Sequence, residues 1–138
     1  MTIAILQHGT HCAGTIGAIG NNDKGVTSVN RDPNKFKFYI GKALDNNGSG
    51  SCLGVMQAID RCARNGAKVI SMSIGGCPFA ESENQLFKKI YDDNVLLVAA
   101  AGNNGDKTKL YPASYPVVMS VAAVGDTEKR AMFSQYNE

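Results

Sequence analysis

No apolar run in the sequence approaches the roughly 20 residues that a membrane-spanning helix needs. The first seven residues, Met1–Gln7, carry no charged n-region and are too short for a signal peptide, so a secretion signal is expected outside this stretch. Positive charge is not concentrated: 14 Lys and Arg stand against 12 Asp and Glu, scattered along the chain, for a net charge of +2. That balance argues against nucleic acid or an anionic membrane surface as a partner. Low-complexity tracts, internal repeats and dividing linkers are also missing, so residues 1–138 are expected to form one partial domain. What is present, 43% hydrophobic and 19% charged residues, suits a soluble packed chain and not a disordered one. Cysteine is sparse. Cys12, Cys52, Cys62 and Cys77 permit three complete pairings, among which spacing does not choose. Cys62 falls on the apolar face of a predicted helix, as a small buried thiol would.

Extended apolar runs alternate with helical patterns. Lys35–Leu44 reads as a strand, closed by the turn-forming cluster Asn46-Asn47-Gly48-Ser49-Gly50. From Cys52 to Asn65, apolar residues recur at helical spacing through Cys52, Val55, Met56, Ile59, Cys62 and Ala63, and Gly66 can supply the left-handed stop. Val69–Ile74 is a short strand ending in Gly75-Gly76. A capping box at Ser82-Glu83-Asn84-Gln85 predicts a second helix with Leu86, Phe87, Ile90 and Tyr91 buried and Asn94 as its stop. Val95–Ala101 is apolar on both faces, as a central parallel strand would be, and Val117–Val124 is a further strand. This order predicts an α/β class with a mostly parallel sheet. Sites in such sheets collect outside the carboxyl ends of the strands, which points at Ser73–Gly76 and Gly102–Gly105.

Two clusters carry chemistry. In His8-Gly9-Thr10-His11-Cys12-Ala13-Gly14-Thr15, two histidines three apart lack the glutamate and the spacing of a zinc-protease helix, so no metal is assigned there. A Cys12 nucleophile with His8 as its base would point the thiol into helix packing. A third reading is one histidine acting as a general base at a helix start, with the small residues Ala13 and Gly14 letting that helix pack tightly. Gly17 and Gly20 extend the glycine spacing, but no strong strand precedes them, which argues against a dinucleotide site. The second cluster, Ala99-Ala100-Ala101-Gly102-Asn103-Asn104-Gly105, follows the buried strand. Its asparagine amide could donate to an oxygen that becomes negative during acyl transfer; an ordinary strand-ending turn is the alternative.

Taken together, HGTHCAGT and the later AAAGNNG, with SMSIGG between them, resemble the subtilisin (subtilase) family. KALDNNGSGS before a helix, NGAKVISMSIGG, NVLLVAAAGN, YPASYPVVMSVAAV and the closing RAMFS extend the resemblance from His8 to near the end. Cys12 after the second histidine is similar to the proteinase K branch. The resemblance implies a three-layer α/β fold, incomplete at both ends, and a serine endopeptidase that forms an acyl-enzyme. It implies His8 as general base, His11 as a structural histidine, and Asn103 as oxyanion donor. Ser73, Ile74 and Gly75, with Ala100, Ala101 and Gly102, would wall the pocket for the residue before the scissile bond. Gly48, Ser49 and Gly50 would offer a strand edge to an extended peptide. The loop from Ile19 to Val26, with Asn21 and Asp23, matches a region where many members hold calcium. Cys52 and Cys77 would flank an outer substrate pocket, where a disulfide could join them. Asn47-Gly48-Ser49 is a formal glycosylation sequon whose expected role is the turn. A polypeptide substrate, a pro-region and secretion complete what the resemblance implies.

Two family features are not in these residues. The triad runs Asp, His, Ser along the chain, but none of the seven residues before His8 is acidic. The 35 residues after Asn103 contain no Gly-Thr-Ser, and Ser134 belongs to the Phe-Ser segment. The segment alone is therefore expected to be inactive. A non-catalytic peptide-binding protein is the rival reading.

Overall fold

The computed structural model describes residues 8–30, 32 and 34–136. It divides into two compact units, Met1–Ala58 and Ile59–Glu138.

In the first unit, α1 (His8–Gly17) begins at His8 and buries none of its side chains. The following loop folds back on the helix end: Val29 and Asn30 donate their amides to the Thr15 and Ile16 carbonyls. The buried Ser28 hydroxyl lies 2.9 Å from the Ala18 carbonyl and 2.6 Å from that of Asn30. Phe36 and Phe38 meet edge-to-face at 5.0 Å. A Cβ at Gly17 would fall 2.1 Å from the Phe36 ring, so glycine is what admits these rings to the helix end. The expected strand over Lys35–Leu44 does not form: residues 36–43 carry no ladder, and Phe38, Tyr39 and Ile40 are exposed. Its β-branched and aromatic composition describes a surface that fits a sheet, but a strand exists only where a neighbour accepts its hydrogen bonds. The turn after it is held by Asp45, whose carboxylate accepts the Asn47 and Ser49 amides at 2.8 and 2.9 Å. Those amides, with lesser help from Lys42, hold the Asp45 carboxyl below its ordinary pKa. Helix α2 (Cys52–Arg64) is capped by Ser51, whose hydroxyl accepts the Gly54 amide at 3.0 Å.

Helix α2 runs on into the second unit and stops in a Schellman motif. Gly66 takes φ +83°, its amide reaches the Ala63 carbonyl, and Ala67 reaches that of Cys62. Three parallel strands follow in the order β1 (Val69–Met72), β2 (Leu96–Ala100) and β3 (Val118–Val121). Ile70, Met72, Leu97, Ala99 and Val118 are buried on one face; Val69, Leu96, Met119 and Val121 on the other are exposed. Helix α3 (Glu81–Asp92) lies against β2 and ends at Asn94, φ +60°, in a second Schellman motif. Cys52 and Cys77 are disulfide-bonded, whereas Cys12 and the buried Cys62 take part in no disulfide.

The start of α3 departs from the sequence reading. The N-cap is Ala80, without a side-chain cap, and Gln85 donates to Glu81 and not back to the helix entrance. A distant tyrosine replaces the capping box. The Tyr115 hydroxyl accepts the Ala80 amide at 3.0 Å and donates to the Glu83 carboxylate at 2.7 Å, with Tyr115 and Glu83 at 1% and 2% exposure. Glu83, not Tyr91, therefore turns inward, and Tyr91 is exposed. Phe87 meets the Tyr115 ring edge-on at 5.2 Å. Burial first, then the Glu83 carboxylate, pushes the Tyr115 hydroxyl up to about 12. The hydroxyl is thus harder to ionise folded than unfolded. Its stabilisation is full below pH ~10, the unfolded value, and is lost as pH rises through about 12. Tyr115→Phe is expected to destabilise the chain by about 2 kcal/mol, since it strands the Glu83 carboxylate and the Ala80 amide. Urea midpoints at pH 7 test this; an unchanged midpoint would contradict the buried bond.

Candidate active site

Strands β1 and β2 run parallel and in register, with Met72 opposite Ala99, so their carboxyl ends open side by side. The chain leaves β1 through Ser73–Gly76 and β2 through Ala101–Gly105. Between these exits lies a cleft of about 390 Å³, lined by Ser73, Ile74 and Gly75 on one side and Ala100, Gly102 and Asn103 on the other. Gly76, Asn104 and Leu110 complete the lining; Gly76 and Asn104 lie in the strand exits that the sequence pointed to, and Leu110 does not. Ala101 does not line it, because its amide continues the ladder to the Val121 carbonyl at 3.0 Å.

Each wall has a backbone reason for its shape. Gly76, φ +115°, donates its amide to the Tyr111 carbonyl, and Cys77 pairs with Tyr111 in an antiparallel bridge. Gly102, φ +118°, turns the chain out of β2 in a region that side-chain-bearing residues rarely adopt. A Cβ there would sit 1.8 Å from the Gln135 Oε1 position and 2.5 Å from Leu110 Cδ1. Gly102→Ala is therefore expected to cost about 3 kcal/mol or more, from strain and overpacking together. Thermal unfolding checks this; an unchanged Tm would contradict the packing around the turn. Beyond Gly102, the Asn103 side chain is exposed and makes no hydrogen bond to a described residue. Its carboxamide can donate two N–H groups to an incoming oxygen.

The other candidates belong to the Met1–Ala58 unit. His8 opens α1 and is exposed, with Nε2 3.8 Å from Cys12 Sγ; His11 lies one turn along the same helix. Gly48, Ser49 and Gly50 form an exposed loop and not a strand. The Gly48 and Ser49 amides are committed to Asp45, which leaves less of this edge to pair with a peptide than the sequence reading expected. In the loop from Ile19 to Val26, Asn21 and Asp23 take φ +57° and +55°. Among the described residues no three His, Cys, Asp or Glu side chains gather into a metal set. No helix of the described residues is long and apolar enough to cross a membrane.

Gln135 is the polar residue that sequence reasoning missed. It is 1% exposed, and its side chain reaches the loop that carries Asn103. A glutamine just after an apolar Phe-Ser segment is a weak local signal, because its partners lie about 30 residues away.

The sequence pattern of the Subtilase family matches residues 4–138. A thermostable alkaline protease of Halalkalibacterium halodurans is 42% identical over 94% of this chain and 35% of its own length. Thermitase of Thermoactinomyces vulgaris is 36% identical over 94% of the chain and 45% of its own length. The crystal structure of a psychrophilic subtilisin-like protease from the Antarctic psychrotroph Pseudoalteromonas sp. AS-11 superposes with a TM-score of 0.88. It is 45% identical and covers 95% of this chain and 30% of that one. The chain thus spans between a third and a half of the length of these curated relatives. The fold is subtilisin-like α/β with a parallel sheet, and the chain belongs to the subtilase family.

Proposed function

We propose that this chain is the central part of a serine endopeptidase domain whose complete protein hydrolyses peptide bonds. The observation that carries the reading is the place of Asn103: at the exit of the central strand, on the lip of a cleft, with its carboxamide exposed. In the proposed reaction, a serine from another segment attacks the peptide carbonyl carbon, and its hydroxyl proton passes to the His8 imidazole. The carbonyl oxygen becomes an oxyanion and accepts a hydrogen bond from the Asn103 carboxamide. When the carbon–nitrogen bond breaks, His8 returns the proton to the leaving amine and the acyl-enzyme remains. Water then attacks the acyl carbon, losing a proton to His8; the ester bond to the serine oxygen breaks, His8 returns that proton to the serine, and the second product leaves as a carboxylic acid.

The residue before the scissile bond enters between Ser73, Ile74 and Gly75 on one side and Ala100 and Gly102 on the other. Ile74 and Ala100 favour an apolar side chain there, since burying apolar area contributes roughly 25 cal/mol per Å². Secretion fits the disulfide-bonded Cys52 and Cys77 and a 38% identical relative named minor extracellular protease, from Bacillus subtilis. The test is incubation of the complete protein with fluorogenic peptide amides that differ in the residue before the cleaved bond. Cleavage with preference for apolar residues is expected. Binding without cleavage would replace this reading by that of a peptide-binding protein. The 138 residues alone, having no Gly-Thr-Ser nucleophile segment, are expected to cleave none of them.

A further inference from the structure

The loop bearing Asn103 is held by a second segment, 133–136. Gly105 donates to the Phe133 carbonyl at 2.7 Å, and Tyr136 donates to that of Asp106 at 3.1 Å. Between these bonds, Gln135 contacts the loop on both sides of Asn103. Its backbone amide donates to the Gly102 carbonyl at 3.0 Å, and its Oε1 accepts the Asn104 amide at 3.5 Å. Its Nε2 donates to the Thr108 carbonyl at 2.6 Å. The side chain is 1% exposed, so these groups have little water to turn to.

We infer that Gln135 is a positioning residue for the oxyanion donor: by bridging Gly102, Asn104 and Thr108, it fixes the direction in which the Asn103 carboxamide points. This rests on the reading of Asn103 as that donor. The physical reason is geometric. An exposed side chain without partners is aimed only by its backbone, and a donor helps a developing oxyanion only if it is already in place. A displacement of about 1 Å can cost up to 10²-fold in rate. The Gln135 amide suits the task because it accepts from Asn104 and donates to Thr108 at once, which neither a carboxylate nor an apolar side chain can do.

The test is Gln135→Met in the complete protein, a change that keeps much of the side-chain length and removes both bonds. We expect kcat for a peptide amide to fall about tenfold with KM changed less than twofold. In an Asn103→Ala background the same substitution should change kcat less than twofold, because no donor is left to misplace. Equal losses in both backgrounds, or no loss in either, would overturn the proposal. If Gln135→Met does not fold, Gln135→Glu replaces it, since it keeps the acceptor for Asn104 and loses the donor to Thr108. Amide exchange is a readout independent of catalysis. Asn104 should exchange about tenfold faster in the variant while Leu97–Ala99 stay protected, and unchanged exchange would overturn the clamp. Absence of peptidase activity with Gln135 intact would instead defeat the peptidase reading, leaving exchange to judge the clamp alone.

Discussion

Replacing His8 by alanine is expected to lower kcat for peptide hydrolysis by about 10⁶-fold while leaving stability nearly unchanged. The magnitude is the one known for the general base of subtilisin itself and is carried over by family membership. The structure contributes the second half of the expectation. Helix α1 buries none of its side chains and His8 is exposed, so removing the ring opens no core cavity. Without the imidazole, the serine proton has no acceptor and the leaving amine has no donor. Stopped assays on purified variant and parent, with Tm measured alongside, check both halves. A Tm unchanged within a few degrees and activity within tenfold of the parent would remove His8 from the mechanism.

Asn103→Ala is expected to lower kcat by about 10²–10³-fold with little change in KM. That range, too, is the one known for the oxyanion asparagine of subtilisin, and family membership carries it over. Its application here rests on the exposed carboxamide at the rim of the cleft. The ground-state carbonyl gains little from a donor placed for the oxyanion, so binding should survive while the barrier rises. The loop should survive as well. Its hydrogen bonds run through Gly102, Asn104, Gly105 and Asp106, none through the Asn103 side chain. A proportional rise in KM with kcat intact would mean that Asn103 binds substrate and does not stabilise the transition state.

What the sequence disclosed and what it hid follow one physical division. Gly66 and Asn94 as helix stops, the amphipathic stripe of α2 and the apolar strand β2 depend on neighbours within a turn or two, and short-range pattern reveals them. The cleft between the exits of β1 and β2 was legible because parallel sheets place their strand ends together whatever the side chains. Lys35–Leu44 misled because its composition matches a strand, whereas a ladder needs a partner that composition does not supply. The capping box at Ser82 failed for a similar reason. Tyr115, more than 30 residues away, occupies the helix entrance and draws Glu83 into the core. Gln135 was hidden for the same reason, since its polar character gains meaning only when folding brings Gly102, Asn104 and Thr108 around it. The chemistry of His8 and Asn103 was legible only through family resemblance, because a histidine at a helix start and an asparagine after a strand are common features.

The most direct test of the peptidase reading is peptide hydrolysis by the complete protein before and after treatment with a serine-directed organophosphate, with incorporated phosphorus counted per chain. One group per chain and complete loss of activity are predicted. Activity that survives full labelling, or that is abolished by a chelator or a thiol reagent while no serine is labelled, would contradict the serine mechanism in which His8 and Asn103 have their roles.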